Sequence, residues 1–483
     1  MPQTPETTLA MQELAQQYSL SARGAQGVFD RDIWGPREKS MGNPWSQTNP
    51  EGTIILRLAE NSLMHDEISE FLKQQVGISL QSQDMSVLPV NHLTYSTGPR
   101  GSRRLRSTLA EFFKEEFGAR EPMGVDNISI TPGLASAIDS LSWAICDEGD
   151  AILIPQPLYN GFNFDLLNRS GVQIVGVPYS GIKGFSGLDD LFNAEVNKLA
   201  IEAALEKASR DGVRVKALLI SHPHNPLGRC YPVEALIAFA SICGQHGLHF
   251  ISDEIYGKSI FQNPAIPDAT PFMSTLSLDL QGIIDQTRHH VLYGASKDFC
   301  ANGLRLGVVC TRNKGIIGAI SSISMFSWSP HLIQDMWAAM LEDRTWLKGF
   351  LETKLTLMRE NYQIATSFCH DHGIPFYEVN AGLFLWLDLR HLLLPYTTSK
   401  EDGDNALAIK SSNAKVLQER ETEIIDLCLK NGVMIAPGSV YMPEEYGWFR
   451  MTFTVKKDAL REGLARLWRS LKEAGAQTTT PSI

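Results

Sequence analysis

The chain lacks the marks of several protein classes at once. Its 483 residues hold seven cysteines, scattered and with no Cys-x-x-Cys pair. That excludes a zinc ribbon and a disulfide scaffold, and fits reduced thiols. No run of about 20 apolar residues occurs, so no membrane-spanning helix is expected. Basic charge is in short supply: the formal net charge is −11. Nucleic acid is therefore not expected as a partner, because phosphate backbones need basic surface. There is no Walker loop, no Gly-x-Gly-x-x-Gly fingerprint and no internal repeat. The stretch MPQTPETTLAMQELAQQYSL carries acidic residues and no long apolar segment. It reads as neither signal nor transit peptide, and a cytoplasmic location is the expectation.

What is present is an alternation. Hydrophobic residues make up 43% of the chain, enough for a sizeable core. From Asn127 onward, ISITPG, DAILIPQP, VQIVGVP, VKALLISHPHNPLG, LHFISDEIYG, HHVLYGASKD and LRLGVVC read as strands. LASAIDSLSWAIC, a segment within 190–210 and PVEALIAFASICGQHG read as helices between them. Strands separated by helices predict an α/β fold with a mostly parallel sheet covered on both faces. Upstream, TIILRLAENSL reads as a short strand, and GSRRLRSTLAEFFKEEFG as a helix with Leu105, Leu109, Phe112 and Phe113 on one face, closed by Gly118. A long helical pattern through TWLKGFLETKLTLMRENYQIATSFCHDHG leads to a second, smaller α+β unit. That unit holds GLFLWLDL, a polar insert near 397–413, a helix within 415–431, GVMIAPG, WFRMTFTV and the helix DALREGLARLWRSLKEAG. The expected organisation is a loose N-terminus (1–20), an arm with part of the small domain (21–90), a large domain (91–345), the small domain (346–475) and a loose tail (476–483).

Ligands of open α/β sheets bind beyond the carboxyl ends of the strands. Asn225, Asp253, Tyr256 and Lys297 follow strands there, and Gly133 stands between a strand and a helix. Each has an ordinary explanation. HNPLG makes a turn, SDE caps a helix, a lysine after a strand is solvated, and Arg305 neutralises a carboxylate. Their joint order fits one chemistry, that of pyridoxal 5'-phosphate. A lysine forms an imine with its aldehyde, and a carboxylate keeps the pyridine nitrogen protonated. Tyrosine and asparagine bond the ring oxygen, while an arginine and helix N–H groups hold the phosphate.

The sequence resembles the fold-type I pyridoxal phosphate enzymes of the class I/II aminotransferase family. It is most similar to the branch of 1-aminocyclopropane-1-carboxylate (ACC) synthase-like proteins. The carriers are RLAENSL, LTYSTGPRGSRRLR, PLYNGFNFDL, HNPLGR, ISDEIYG, GASKDFCANGLRLG, AGLFLWLDL and PGSVYMPEEYGWFRMTF. AENSLMHDE and the long N-terminal extension look like fungal members. The resemblance implies a large domain with a seven-stranded type of sheet plus a smaller domain. It implies that Lys297 is the Schiff-base lysine and proton shuttle, acting through an external aldimine and Cα deprotonation. Asp253 pairs with the pyridine nitrogen, Asn225 and Tyr256 with the ring oxygen, and Tyr159 stacks on the ring. Ser296, Arg305 and the turn Gly133-Leu134-Ala135 hold the phosphate. Arg450 clamps the substrate carboxylate, with Glu60 near the substrate side chain. Tyr95 reaches the phosphate of a partner subunit, which implies a homodimer with shared active sites.

The sequence departs from that pattern in three places. Gly294 and Ala135 stand where relatives often carry hydroxyls, and Ser136 is one position late. Weaker cofactor retention is therefore expected. Phe164 replaces an arginine usual in ACC synthases. His222 and His224 flank Pro223, and one or the other is read as lining the substrate pocket; no metal site is expected. An aminotransferase acting on an α-amino acid is the first reading, with a place in secondary metabolism suggested by the fungal likeness. A lyase is the alternative, by carbon–sulfur β-elimination or ACC synthase-type γ-elimination. A non-catalytic cofactor-binding protein is a third.

Overall fold

A computed structural model describes residues 43–81, 95–393 and 414–479, with residues 12, 13, 16, 17 and 92 in addition. The polar insert at 397–413 lies outside these residues, as do 480–483 and all but four of residues 1–20.

Seven strands form the main sheet, in spatial order Ile128–Thr131, Gly307–Thr311, His289–Gly294, His249–Asp253, Val215–Ser221, Ala151–Pro155 and Gln173–Val177. Neighbours run parallel, except that Gly307–Thr311 is antiparallel to the strands on both its sides. Strands buried on both faces need apolar residues throughout, and AILIP and HHVLYG are buried along their whole length. Alternate residues feed opposite faces. Ile152, Leu219 and Leu292 pack under the helices Leu134–Ile145, Phe162–Leu167 and Lys314–Ile323. Leu153, Leu218 and Ile220 pack under Ala194–Arg210 and Val233–His246. Val291 and Tyr293 meet Arg103–Glu116 and His331–Glu342.

The helix Arg103–Glu116 buries the four predicted apolar residues, and the Ser102 hydroxyl caps it by accepting from Leu105 N–H at 3.3 Å. The strand read in LRLGVVC begins later than expected, at Gly307. Arg305 precedes it in a left-handed turn with φ +53°.

The smaller unit is a four-stranded antiparallel sheet, ordered Ala436–Pro437, Trp448–Thr452, Phe384–Asp388 and Phe376–Tyr377. Its core includes Leu385, Leu387, Phe449 and Met451, covered by Arg344–Asp371, Ala414–Lys430 and Lys457–Thr479. The last helix continues to Thr479. The early strand is only Ile54–Ile55, paired in parallel with Val433–Met434. Pairing stops there, and residues 57–60 run on into the space between the two units. Among the described residues, no helix is long and apolar enough to cross a membrane.

Candidate active site

A cavity of about 350 Å³ opens where the main sheet's carboxyl edge meets the smaller unit. The geometry of the sheet explains what reaches it. Ser221 and Asp253 end adjacent parallel strands in register, so the segments after them emerge side by side. One brings Asn225, the other Tyr256. The next strand ends at Gly294, and Lys297 sits in the single helical turn Ala295–Asp298 that follows. Lys297, Asp253, Tyr256, Asn225, Tyr159, Ser296, Arg305, Leu134, Ala135, Arg450 and Glu60 all line the cavity.

Burial sets the electrostatics. The Lys297 amine donates to the Ala59 carbonyl. Burial, and then the Arg450 charge, bring its ammonium down to about 8. A neutral amine is the form that attacks an aldehyde. Asp253 is buried at the strand end and accepts from Ile255 N–H at 3.1 Å. Loss of water pushes its carboxyl up to about 7. The charged form therefore needs a cationic partner, which a pyridinium supplies. Burial likewise raises the phenols of Tyr256 and Tyr159, which stay protonated donors.

Arg450 is 3% exposed and lies between the Phe384 and Tyr441 rings, 4.9 and 5.0 Å from their centroids. It donates to Asn225 Oδ1 at 3.1 Å and to the Arg57 carbonyl at 2.9 Å, while its Nε is buried without a partner. A guanidinium held this rigidly suits a planar carboxylate.

Arg305 stands on the cavity wall beside Asn302 and Leu134. Its left-handed backbone is costly for a non-glycine residue, and such strain concentrates at functional sites. Its guanidinium donates to the Asn302 and Pro132 carbonyls at 2.8 and 3.3 Å. Gly133 has φ +85°, and a Cβ there would stand 2.3 Å from Arg305 Nη2. Glycine thus lets the arginine lie against the start of the helix Leu134–Ile145. Gly133 itself does not line the cavity. The two positions lacking hydroxyls differ. A Cβ at Gly294 would come within 2.6 Å of the Leu306 carbonyl oxygen, so this position is closed to serine without a backbone shift. Ala135 faces the cavity.

Other expectations fare differently. Tyr95 is 82% exposed and packs edge-on against Trp328, outside the cavity of its own chain. His222 and His224 do not line the cavity. Both are buried supports of their loop: His222 Nε2 donates to the Met273 carbonyl at 2.9 Å, and His224 Nδ1 accepts from Leu227 N–H at 3.3 Å. Burial depresses them to about 4 and about 3, so both are neutral. Among the described residues, no group of His, Cys, Asp and Glu is placed to hold a metal ion.

Sequence reading missed Arg57, Tyr441 and Asp165, which also line the cavity. Each lies inside a quoted motif. Arg57 precedes Glu60 in RLAENSL, Tyr441 sits inside PGSVYMPEEYGWFRMTF, and Asp165 follows Phe164.

The donor set fits pyridoxal phosphate: an amine with depressed basicity, a carboxyl awaiting a cation, two polar groups beside them and an arginine at a helix start. The aminotransferase class I and II model matches residues 55–467. The chain is 29% identical over 459 residues to 1-aminocyclopropane-1-carboxylate synthase 8 of Arabidopsis thaliana, covering 94% of this chain and 90% of that one. It is 30% identical over 457 residues to 1-aminocyclopropane-1-carboxylate synthase-like protein 1 of Mus musculus, covering 94% and 83%. The fold matches aspartate aminotransferase from Thermus thermophilus with maleate, with TM-score 0.66 at 20% identity over 93% of this chain and 99% of that one. It also matches the aromatic aminotransferase of Pyrococcus horikoshii OT3, with TM-score 0.65 at 22% identity over 88% and 96%. These are fold-type I architectures, and the chain belongs to the class I and II aminotransferase family of pyridoxal phosphate-dependent enzymes, in its ACC synthase-like branch.

Proposed function

We propose that the protein transfers the amino group of an α-amino acid, with Lys297 as the group that holds and moves the proton at the substrate Cα. The observation that carries this reading is that Lys297, partly buried, and Arg450, buried, line one cavity. Arg450 takes the α-carboxylate and so fixes the Cα beside the amine. When bound, pyridoxal phosphate supplies an aldehyde and an electron sink. Asp253 supplies the negative charge that keeps the pyridine nitrogen protonated. Tyr256 and Asn225 would donate to the ring oxygen, Tyr159 would support the ring, and Ser296 and Arg305 would hold the phosphate. Glu60 stands at the substrate side-chain end.

A lyase is the second reading, favoured by the synthase relatives. Phe164 on the cavity wall counts against the ACC-forming version, because an apolar ring replaces the expected arginine. Incubation of the holoenzyme with a panel of amino acids separates the two. Release of a keto acid with conversion of the cofactor to its amine form is expected. Release of ammonia with pyruvate or a thiol would replace the transferase reading by elimination.

The active unit is proposed to be a homodimer. Tyr95 at 82%, Met325 at 59% and Phe326 at 90% exposure form an apolar edge that a second copy would cover. Sedimentation of the purified chain as a monomer at micromolar concentration would remove that part.

A further inference from the structure

One carboxyl in the cavity has no part in the chemistry above. Asp165 lies on the short helix Phe162–Leu167, whose buried residues are Phe162 and Leu166. Its own side chain lines the cavity. Among the described residues, no hydrogen bond reaches its carboxyl. The charged and titratable groups that act on it come from several elements: Asp253 at a strand end, Arg305 in the turn before Gly307 and the Tyr159 phenol, which line the same cavity, and Asp139 on the helix Leu134–Ile145. Asp139 is already committed to Arg169, with Nε donating at 3.0 Å. Arg305 is therefore the one cation among these neighbours that steadies an Asp165 carboxylate. Burial, reinforced by Asp253 and Asp139, pushes the Asp165 acid up to about 7, and Arg305 pulls against that rise.

Arg305 is also the cation placed for the cofactor phosphate. A phosphate dianion on that guanidinium cancels the support Asp165 receives and adds like charge beside it. The ionised acid and the dianion then oppose each other, while the neutral acid does not repel and carries an O–H to donate.

We propose, resting on the pyridoxal phosphate reading, that cofactor binding is coupled to the uptake of one proton from solvent by Asp165, so that this residue sets how cofactor retention depends on pH. No covalent step is involved: the carboxylate gains a proton as the phosphate enters, and returns it to solvent as the phosphate leaves. A more alkaline medium therefore promotes release.

Lys297 titrates in a neighbouring range and acts through the aldehyde. The probe is therefore pyridoxine 5'-phosphate, which has no aldehyde, with pyridoxal 5'-phosphate alongside. Binding to the full-length chain and to Asp165→Asn is measured by calorimetry from pH 6 to 9, in buffers of different ionisation enthalpy. In the unsubstituted chain, the dissociation constant should climb more steeply above pH 7 than in the variant, by up to about tenfold per pH unit. At pH 8 the unsubstituted chain should take up as much as about one proton more per ligand. A merely structural role would shift affinity equally at every pH, and equal slopes with equal proton counts overturn the proposal. Should Asp165→Asn not fold, Asp165→Ser gives the same comparison. A carboxylic-acid carbonyl band appearing in the infrared difference spectrum of the unsubstituted chain on binding is an independent expected sign, and its absence counts against the proposal. If neither probe binds the unsubstituted chain, the cofactor reading fails and this inference with it. Binding without the proton difference removes only the role of Asp165.

Discussion

Lys297 and Asp298 are neighbours on one turn of helix, and they face opposite fates. Asp298 is fully withdrawn from water and Lys297 partly so. Lys297 looks into the cavity, where burial depresses its basicity and where neither it nor Arg450 nor Asp253 makes a salt bridge among the described residues. Asp298 looks away and is fully provided for. Its carboxylate accepts from Lys258 N–H at 2.7 Å, Ser259 Oγ at 2.7 Å and Tyr293 OH at 2.9 Å, and pairs with Lys354 at 3.7 Å, with both side chains 0% exposed. Lys354 in turn donates to the Lys258 and Asp298 carbonyls, each at 2.9 Å. It comes from the long helix Arg344–Asp371. One side of the turn is thus a closed network that ties the lysine turn, the segment after Tyr256 and the bridging helix together. The other side is left open. A buried charge whose partners are all in the protein serves the fold; one whose partners are missing from it awaits a ligand.

The sharpest break of this contrast is Lys297→Ala. Turnover of the best amino acid from the panel should fall on the order of 10⁴-fold, and borohydride should leave no cofactor adduct at that position. Activity within tenfold of the unsubstituted enzyme would take Lys297 out of the chemistry. On the closed side, Asp298→Ala should cost about 3–5 kcal/mol of stability, because it strands the buried Lys354. Urea unfolding measures this. A loss below about 1 kcal/mol would show that the network does not anchor the turn.

A third expectation concerns the open side without its ligand. The folded Asp253 carboxyl stands at about 7, above the ordinary carboxylate value near 4. Between those limits the folded state keeps a proton that the unfolded chain has lost. Its contribution is complete below about pH 4 and fades as pH rises to 7. Cofactor-free protein should therefore lose stability across that window, and Asp253→Asn should flatten the slope. An unchanged slope would show that Asp253 is not held neutral.

The smallest effect is at the phosphate end. Ala135→Thr should tighten pyridoxal phosphate binding by roughly 1 kcal/mol, the worth of one added hydrogen bond. Gly294→Ser should bring no gain, because its side chain meets the Leu306 carbonyl. A tighter complex with Gly294→Ser would mean that the turn yields.

Much of this was legible in the sequence. Apolar runs ending in polar residues marked the strands and the residues that emerge from them, so Asn225, Asp253, Tyr256 and Lys297 could be named before any fold was drawn. The direction of Gly307–Thr311 was not legible, since GVVCT is equally apolar read either way. The histidines misled for a related reason. Their place before Asn225 suggested the pocket, but only packing shows that their rings turn into the loop and bond Met273 and Leu227.

The sequence by itself determined the chemical kit and the local elements that carry it: a lysine, a carboxyl, phenols and arginines, each after its strand or in its turn. Only the tertiary structure decided which polar groups are satisfied and which are left waiting. Adjacent residues such as Lys297 and Asp298 carry no mark of that difference. It arises from what lies within hydrogen-bonding distance once water is gone, and Lys354, far along the chain from Asp298, comes within that reach only when the helix Arg344–Asp371 packs.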